Sequence, residues 1–386
     1  MDTLSFATSR FLTLGVEVEI QLVDYKTLDL CPAAPRILGG LVNDPSFQPE
    51  LYKTMLEVST GVCNDLEDVE ADLTGARERL LPVTDDDGVE ILGTGTHPFA
   101  DRGREDDLSD SPRYHRMLLK DQWVARNKNT FGLHVHVGAT GGDHAIALMN
   151  AASAFLPHLL ALSASSPFRY GQDTGLASSR GIAFESQPTS GLAPRLEDWS
   201  DFRHLVTGLR QSGSIESLKD LHWDIRPSPR LGTVEVRICD GQACLADTLA
   251  LVAAVQCLFA WLDRTLDGRR APPAWRQREN KWRAIRWGLD GDVVVDDQGT
   301  VRPLRDEWLA LLRAFRPVAA PLGCARHLKR VEWMVREGGN SSIRQRALLK
   351  RCGSLYALVQ ALVHEWRTPP KRRRAAGTHG LRGTRG

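Results

Sequence analysis

The chain has 386 residues, 42% hydrophobic and 25% charged, with a formal net charge of +1. This profile excludes a disordered, collagen-like or disulfide-scaffold chain and leaves enough apolar surface for a sizeable core. The charge is unevenly spread: Lys371 to Gly386 hold six basic residues and no acidic one, so residues 1–370 carry 43 basic against 48 acidic, or −5, which excludes a nucleic-acid-binding body by charge.

In chain order, Leu12–Val23 alternates Leu14, Val16, Val18, Ile20 and Leu22 with Gly15, Glu17, Glu19 and Gln21, the period of a half-buried strand. Leu51–Thr60 reads as a second strand, ending at Gly61. Leu66–Leu81 carries apolar residues at helical spacing among charges. Val89–Thr96 is a short strand, Pro112–Asn127 a helix and Phe131–Gly138 a strand. A Gly141-Gly142 turn leads into one long helix from about Asp143. Gly171–Leu196 is rich in Gly, Ser and Pro and reads as a long loop, a candidate lid. Thr233–Cys239 is a strand and Asp247–Leu266 a helix; Arg305–Phe315 and Arg344–Glu365 are further helices. Ala145–Phe168 and Leu245–Leu262 are apolar enough to suggest membrane spans, but their Asn, Pro, Ser, Asp and Gln residues favour buried helices. Strands and helices mix without βαβ alternation, which favours α+β with a mainly antiparallel sheet covered by helices. One catalytic domain over residues 1–370 and a basic tail over 371–386 are expected.

Seven scattered cysteines with no Cys-x-x-Cys, and a start at Met1–Arg10 without a signal-peptide stretch, point to a reduced, cytoplasmic protein without a zinc site. No P-loop, Rossmann glycine motif or Gly-x-Ser-x-Gly elbow occurs.

Three strands share one pattern. Glu17 and Glu19 lie opposite Val16, Val18 and Ile20. His134 and His136 lie opposite Leu133, Val135 and Val137. Glu235 and Arg237 lie opposite Val234, Val236 and Ile238. Side chains two apart on a strand share a face. Glu57, between Leu56 and Val58, adds a fourth carboxylate. A polar face turned to solvent explains any one such strand. Three together describe a platform for a divalent cation such as Mg²⁺ or Mn²⁺, held by carboxylates and an imidazole, with Arg237 placed for an anionic oxygen. Spacing alone does not say that these strands are neighbours.

Leu14–Asp24, Phe131–Gly138 and Thr233–Asp240 resemble blocks of the glutamate–cysteine ligase type 2 family of carboxylate–amine ligases. So do Ser166–Phe168, Asp173–Arg180, Trp223–Arg230 and Glu279–Asp290, all in family order across about residues 12–365. The resemblance implies a glutamine-synthetase-like catalytic fold, an antiparallel sheet curved around the active site with helices on its outer face. It implies ATP and Mg²⁺, with Glu17, Glu19, Glu57, His134 and Glu235 as metal ligands. Arg237 would face the transferring phosphate, with Glu57 beside it in the catalytic set, and His136 would lie near the nucleotide. Arg180 and Arg226 would bind substrate carboxylate or phosphate. Val18 stands where many members have Glu, on the apolar side.

A carboxylate does not react with an amine at neutral pH until its oxygen becomes a leaving group, which phosphorylation by ATP supplies. The expected function is therefore ATP-dependent joining of a carboxylate, by default the γ-carboxylate of glutamate, to cysteine or another amine, through an acyl phosphate. The alternative is a metal-dependent amide hydrolase on the same Glu/His face. Partners are expected to be small molecules, with no nucleic acid, no membrane and a homodimeric assembly.

Overall fold

The computed structural model describes residues 4–101, 107–266 and 271–368. Its centre is a seven-stranded antiparallel sheet. The strands are β1 (Leu14–Asp24), β2 (Phe47–Pro49), β3 (Met55–Ser59), β4 (Val89–Leu92), β5 (Gly132–Gly138), β10 (Ile225–Ser228) and β11 (Thr233–Asp240). They run in the order β10-β11-β5-β1-β3-β2, and β4 pairs with the far half of β1. Short pairs lie outside it: β6 (Phe168–Arg169) with β7 (Gln172–Asp173), β8 (Ser190–Gly191) with β9 (His222–Trp223), and β12 (Asp292–Val294) with β13 (Val301–Pro303). The alternation read from sequence is the alternation observed: Val16, Val18 and Ile20 of β1, Val135 and Val137 of β5, and Val234 and Val236 of β11 all turn into the core.

Helices cover that apolar face. Those packing on it include α2 (Leu66–Asp86), α5 (Gly142–Ala152), α6 (Leu156–Ser163) and α9 (Leu245–Asp263). α9 is apolar on every side and buried along nearly its whole length, as a central core helix must be. Its most apolar stretch is 83% buried and that of Gly142–Ser163 is 72% buried, so both candidate spans are packed as core helices.

Several elements differ from the sequence reading, each for a local reason. The second strand is only Met55–Ser59, because Leu51 and Tyr52 turn into a small cluster with Leu108 and Phe131. Pro112–Asn127 is two helices, α3 (Pro112–Asp121) and α4 (Trp123–Arg126), broken where Gln122 takes φ 49°. The long helix from Asp143 is α5 and α6, joined by a tighter turn at Ser153–Phe155. Pro157, which has no N–H to give, sits in the first turn of α6. Arg344–Glu365 is likewise two helices, α13 (Ser341–Cys352) and α14 (Leu355–Arg367). Gly353 ends the first in a left-handed conformation and Ser354 caps the second. Gly171–Leu196 is not a continuous loop. It contains α7 (Ser179–Glu185), capped by the Ser178 hydroxyl, which accepts from the Gly181 N–H. Helices α1 (Ala34–Gly40), α8 (Trp199–Gln211), α10 (Ala274–Trp287) and α12 (Ala325–Glu337) add to the reading, and α11 (Leu304–Ala319) extends it. The basic tail lies outside the described residues.

Candidate active site

The sheet register makes neighbours of the three polar-faced strands. Glu17 pairs with His134 across β1 and β5 and with Ser59 across β1 and β3. Glu19 pairs with Glu57, and Glu235 pairs with His136 on one side and Arg226 on the other. Residues facing each other across antiparallel strands carry their side chains on the same side, so one surface collects every predicted ligand. The β5–β11 register shifts between Val236 and Cys239, and Arg237 lies in that irregular stretch. This surface floors a cleft of about 450 Å³, onto which Glu17, Glu19, Glu57, His134, Arg180, Arg226 and Arg237 open.

Two groups on this face of the sheet bring possible ligand atoms close enough to share a cation. Glu17, Glu57 and His134 bring one ligand atom each within 4.8 Å of one another, as do Glu17, His136 and Glu235. His134 Nδ1 lies 3.0 Å from Glu17 Oε2, while its buried Nε2 has no hydrogen-bond partner among the described residues and stands 3.9 Å from Glu19 Oε1. A sealed imidazole nitrogen without a partner, beside a carboxylate, is a donor set that could take up a divalent cation. Burial works to raise the Glu17 carboxyl, but hydrogen bonds from His134 and His136 prevail and hold it below the usual range. Glu57 goes the other way: burial, and then the charges of Glu17, Glu50 and Glu19, push it well above the usual range. Without a cation, three or four carboxylates in one cleft repel each other.

Glu57→Gln is therefore expected to stabilise the metal-free protein. The folded-state pKa of Glu57 lies above its unfolded value near 4.5, so folding takes up a proton between the two, and wild-type stability falls as pH rises above about 4.5. Melting in the presence of a chelator should show a gap in favour of the variant that widens from pH 5 to pH 8. A gap of the opposite sign, or one that does not change with pH, would contradict the crowding of carboxylates.

The guanidinium end is built on Glu235. Its side chain is 1% exposed and sits behind the cleft wall. Arg226 Nε donates to Oε2 at 2.7 Å and Arg226 Nη2 to Oε1 at 3.3 Å, while Arg237 Nη1 also donates to Oε1. Burial alone would raise Glu235; Arg237 and Arg226 outweigh it and hold the carboxyl far below the usual range. Arg226 spends its remaining Nη1 on the carbonyls of Leu218 and Leu221, so in this structure it braces Glu235. Arg237 keeps a buried Nε without a partner among the described residues and opens onto the cleft. Arg180 donates to the carbonyls of Arg237 and Ile238, and its Nε has no partner among the described residues. A Cβ on Gly132 would collide with the Arg180 guanidinium, so a larger residue there would have to displace it. His136 is on the same face but off the cleft wall: Nε2 lies 3.2 Å from Glu17 Oε1 and Nδ1 2.9 Å from Thr233 Oγ1, so it orients Glu17.

Sequence reasoning missed the far wall. Glu50 follows β2, is approached by the Tyr114 hydroxyl at 3.5 Å, and is pushed up to about 7 by burial and then by Glu19. Lys128, in the turn after α4, opens on the cleft and is lowered to about 8 by burial and then by Arg237. Arg113, Lys219 and His222 complete the wall. None of these sits in an alternating strand, so no periodicity marks them. The cleft as a whole offers carboxylates and an imidazole at its floor and guanidinium and ammonium groups around it. That suits an anionic ligand bound with a divalent cation.

The fold is shared with the glutamate–cysteine ligase of Francisella tularensis solved in complex with AMP, at TM-score 0.70 over 94% of this chain and 91% of that one, with 15% identity. At that identity the likeness is one of fold: an antiparallel sheet with helices behind it. Relatives of higher identity carry it further. A protein of Thermobifida fusca provisionally named glutamate–cysteine ligase 2 is 42% identical over 374 residues, 95% of this chain and 93% of its own. One of Bdellovibrio bacteriovorus with the same provisional name is 41% identical over 363 residues, covering 93% and 96%. The glutamate–cysteine ligase family 2 model matches residues 13–367, and the chain belongs to that family.

Proposed function

We propose that this ligase joins the γ-carboxylate of glutamate to the amine of cysteine, using ATP and Mg²⁺, through a γ-glutamyl phosphate. The observation that carries this reading is His134, whose Nδ1 meets Glu17, which clusters with Glu17 and Glu57, and whose Nε2, beside Glu19, has no partner among the described residues; Arg237 Nε likewise has none there. One end of the floor is short of a cation, the other of an anionic oxygen. Glu17, Glu19, Glu57 and His134 would hold the divalent cation, with Glu17, His136 and Glu235 as a second group. A bound Mg²⁺ would neutralise phosphate charge and let two anions approach.

The chain's own residues do the rest. Arg237 stabilises negative charge on the phosphoryl group as it moves to the carboxylate. Glu235, braced by Arg226, fixes its direction, and Arg180 holds the strand carbonyls beneath it. Lys128 and Arg113, which line the cleft, would bind substrate carboxylate, and Glu50, which also lines it, would bind substrate ammonium. The amine must attack as the free base, and closure of the cleft would keep water from the activated acyl group. Seven cysteines without a disulfide suit a reducing cytoplasm, where a free cysteine substrate persists.

A matrix of amino acids and amines, scored for ADP release, tests the substrates. Glutamate with cysteine should give the largest signal, and hydroxylamine in place of cysteine should give γ-glutamyl hydroxamate with one ADP per product. ADP release that needs no amine, or no hydroxamate with any amino acid, would overturn the proposal. Neither the fold nor the relatives favour the amide-hydrolase alternative.

A further inference from the structure

Behind the sheet, α2 turns Val69, Leu73, Ala76 and Leu80 into the core, and Arg77 lies on the same face. Arg77 is 8% exposed. Its Nε and Nη1 are sealed from solvent, and neither has a hydrogen-bond partner among the described residues. A guanidinium cannot shed its proton at any ordinary pH, so these two sealed nitrogens keep a charge with no acceptor against it; Glu78, the acidic group that acts on Arg77, is itself exposed. Arg77 lines a cavity of about 40 Å³ walled by Val18 and Ile20 of β1, by Gln242, by the first turn of α9 and by Trp366 of α14. Gln242 is 1% exposed. Its Nε2 donates to the carbonyls of Ser163 and Asp240, while its Oε1 is sealed and unpartnered. α9 begins at Cys244 without a side-chain cap; the carboxylate of its first turn, Asp247, is engaged by Arg330 and Arg344 and does not line the cavity.

One water needs roughly 10–15 Å³ of such space, so the cavity takes about three waters or an anion of three or four heavy atoms. A single guanidinium among apolar walls matches one negative charge; a phosphate dianion would keep a charge unpaired. Gln242 Oε1 requires a donor, which bicarbonate supplies through its hydroxyl and formate lacks. We propose that this cavity is a second, non-catalytic site for a small carboxylate-type monoanion, bicarbonate before formate, held by Arg77 and Gln242. An occupant touches the reverse of the strand whose front carries Glu17 and Glu19. The site does not depend on the catalytic reading, because it shares no side chain with the cleft.

Thermal melting of the full chain tests it, with sodium bicarbonate and sodium formate each compared with sodium chloride at matched ionic strength and pH. Bicarbonate should raise the Tm in a saturable way, and formate should do so more weakly. In Arg77→Met the apparent bicarbonate affinity should fall roughly ten- to a hundredfold, the loss expected of a hydrogen bond to a charged group. The anion-free Tm of that variant should equal or exceed that of the wild type, because an unpaired buried charge is gone. Arg77→Lys, which keeps the charge, should weaken binding without abolishing it and serves if the Met variant does not fold. A bicarbonate shift no larger than that of chloride, or one that persists in Arg77→Met, would overturn the site. Equal affinities for formate and bicarbonate would overturn the role of Gln242.

Discussion

Arg237→Lys is expected to lower kcat by about 30- to 1,000-fold while leaving the fold in place, the cost of losing about 2–4 kcal/mol of transition-state stabilisation. Lysine keeps the positive charge, so simple charge neutralisation would predict a small effect. What it loses is the planar fork. Arg237 uses Nη1 on Glu235 and still opens onto the cleft, so its planar fork can hold Glu235 and an oxygen of the moving phosphoryl group at once. A lysine ammonium offers one point of charge and would choose between them. Burial opposes the charge on Arg237, yet Glu235 and then Glu19 and Glu17 more than compensate, so the guanidinium is firmly charged. Steady-state rates of ADP release with saturating substrates check this. A variant with nearly wild-type kcat would remove Arg237 from the phosphoryl-transfer step.

Glu235→Gln should be comparably severe for kcat, and it should also lower the Tm. Two guanidiniums converge on this buried carboxylate, with Arg226 at 2.7 Å. An amide gives one acceptor oxygen and turns an NH₂ toward a cation, which leaves two arginines repelling each other with their counter-charge gone. Breaking a buried pair of this kind costs about 3–5 kcal/mol of stability. Arg237 would then swing from its place, and kcat should fall by roughly a hundredfold or more. Melting curves and kcat measured side by side test the pair of effects. Unchanged Tm with unchanged kcat would mean that Glu235 neither braces Arg237 nor serves the metal. Because the arginines lower the carboxyl, its contribution is present above the unfolded pKa and disappears as pH falls through the lower folded value.

The floor of the site was legible in the sequence because strands write their faces plainly. Glu17 with Glu19, His134 with His136, and Glu235 with Arg237 are each two apart, and that spacing alone assigns each pair to one side. Adjacency was not legible. It rests on the register that sets Glu17 opposite His134 and Glu235 opposite His136, which joins residues 117 and 99 positions apart. Glu50 and Lys128 could not be found by period, since one follows a three-residue strand and the other occupies a turn. Arg77 left a trace, four residues after Leu73 and three before Leu80, but among the many charges of α2 nothing marks it as buried until the sheet is placed beneath. Helix limits were misjudged where one backbone angle decides them. Gln122 and Gly353 take positive φ in stretches whose apolar spacing continues on either side. In the same way, the Gly- and Ser-rich run after Gly171 conceals α7, because Ser178 serves as its cap.

Transfer of ¹⁸O tests the central chemistry most directly. Glutamate labelled in its γ-carboxylate, incubated with the full chain, ATP, Mg²⁺ and cysteine, should deliver one ¹⁸O atom to inorganic phosphate for each peptide bond formed, with ADP as the nucleotide product. Label appearing in AMP, or phosphate free of label while product accumulates, would contradict activation of the carboxylate by phosphoryl transfer at this site.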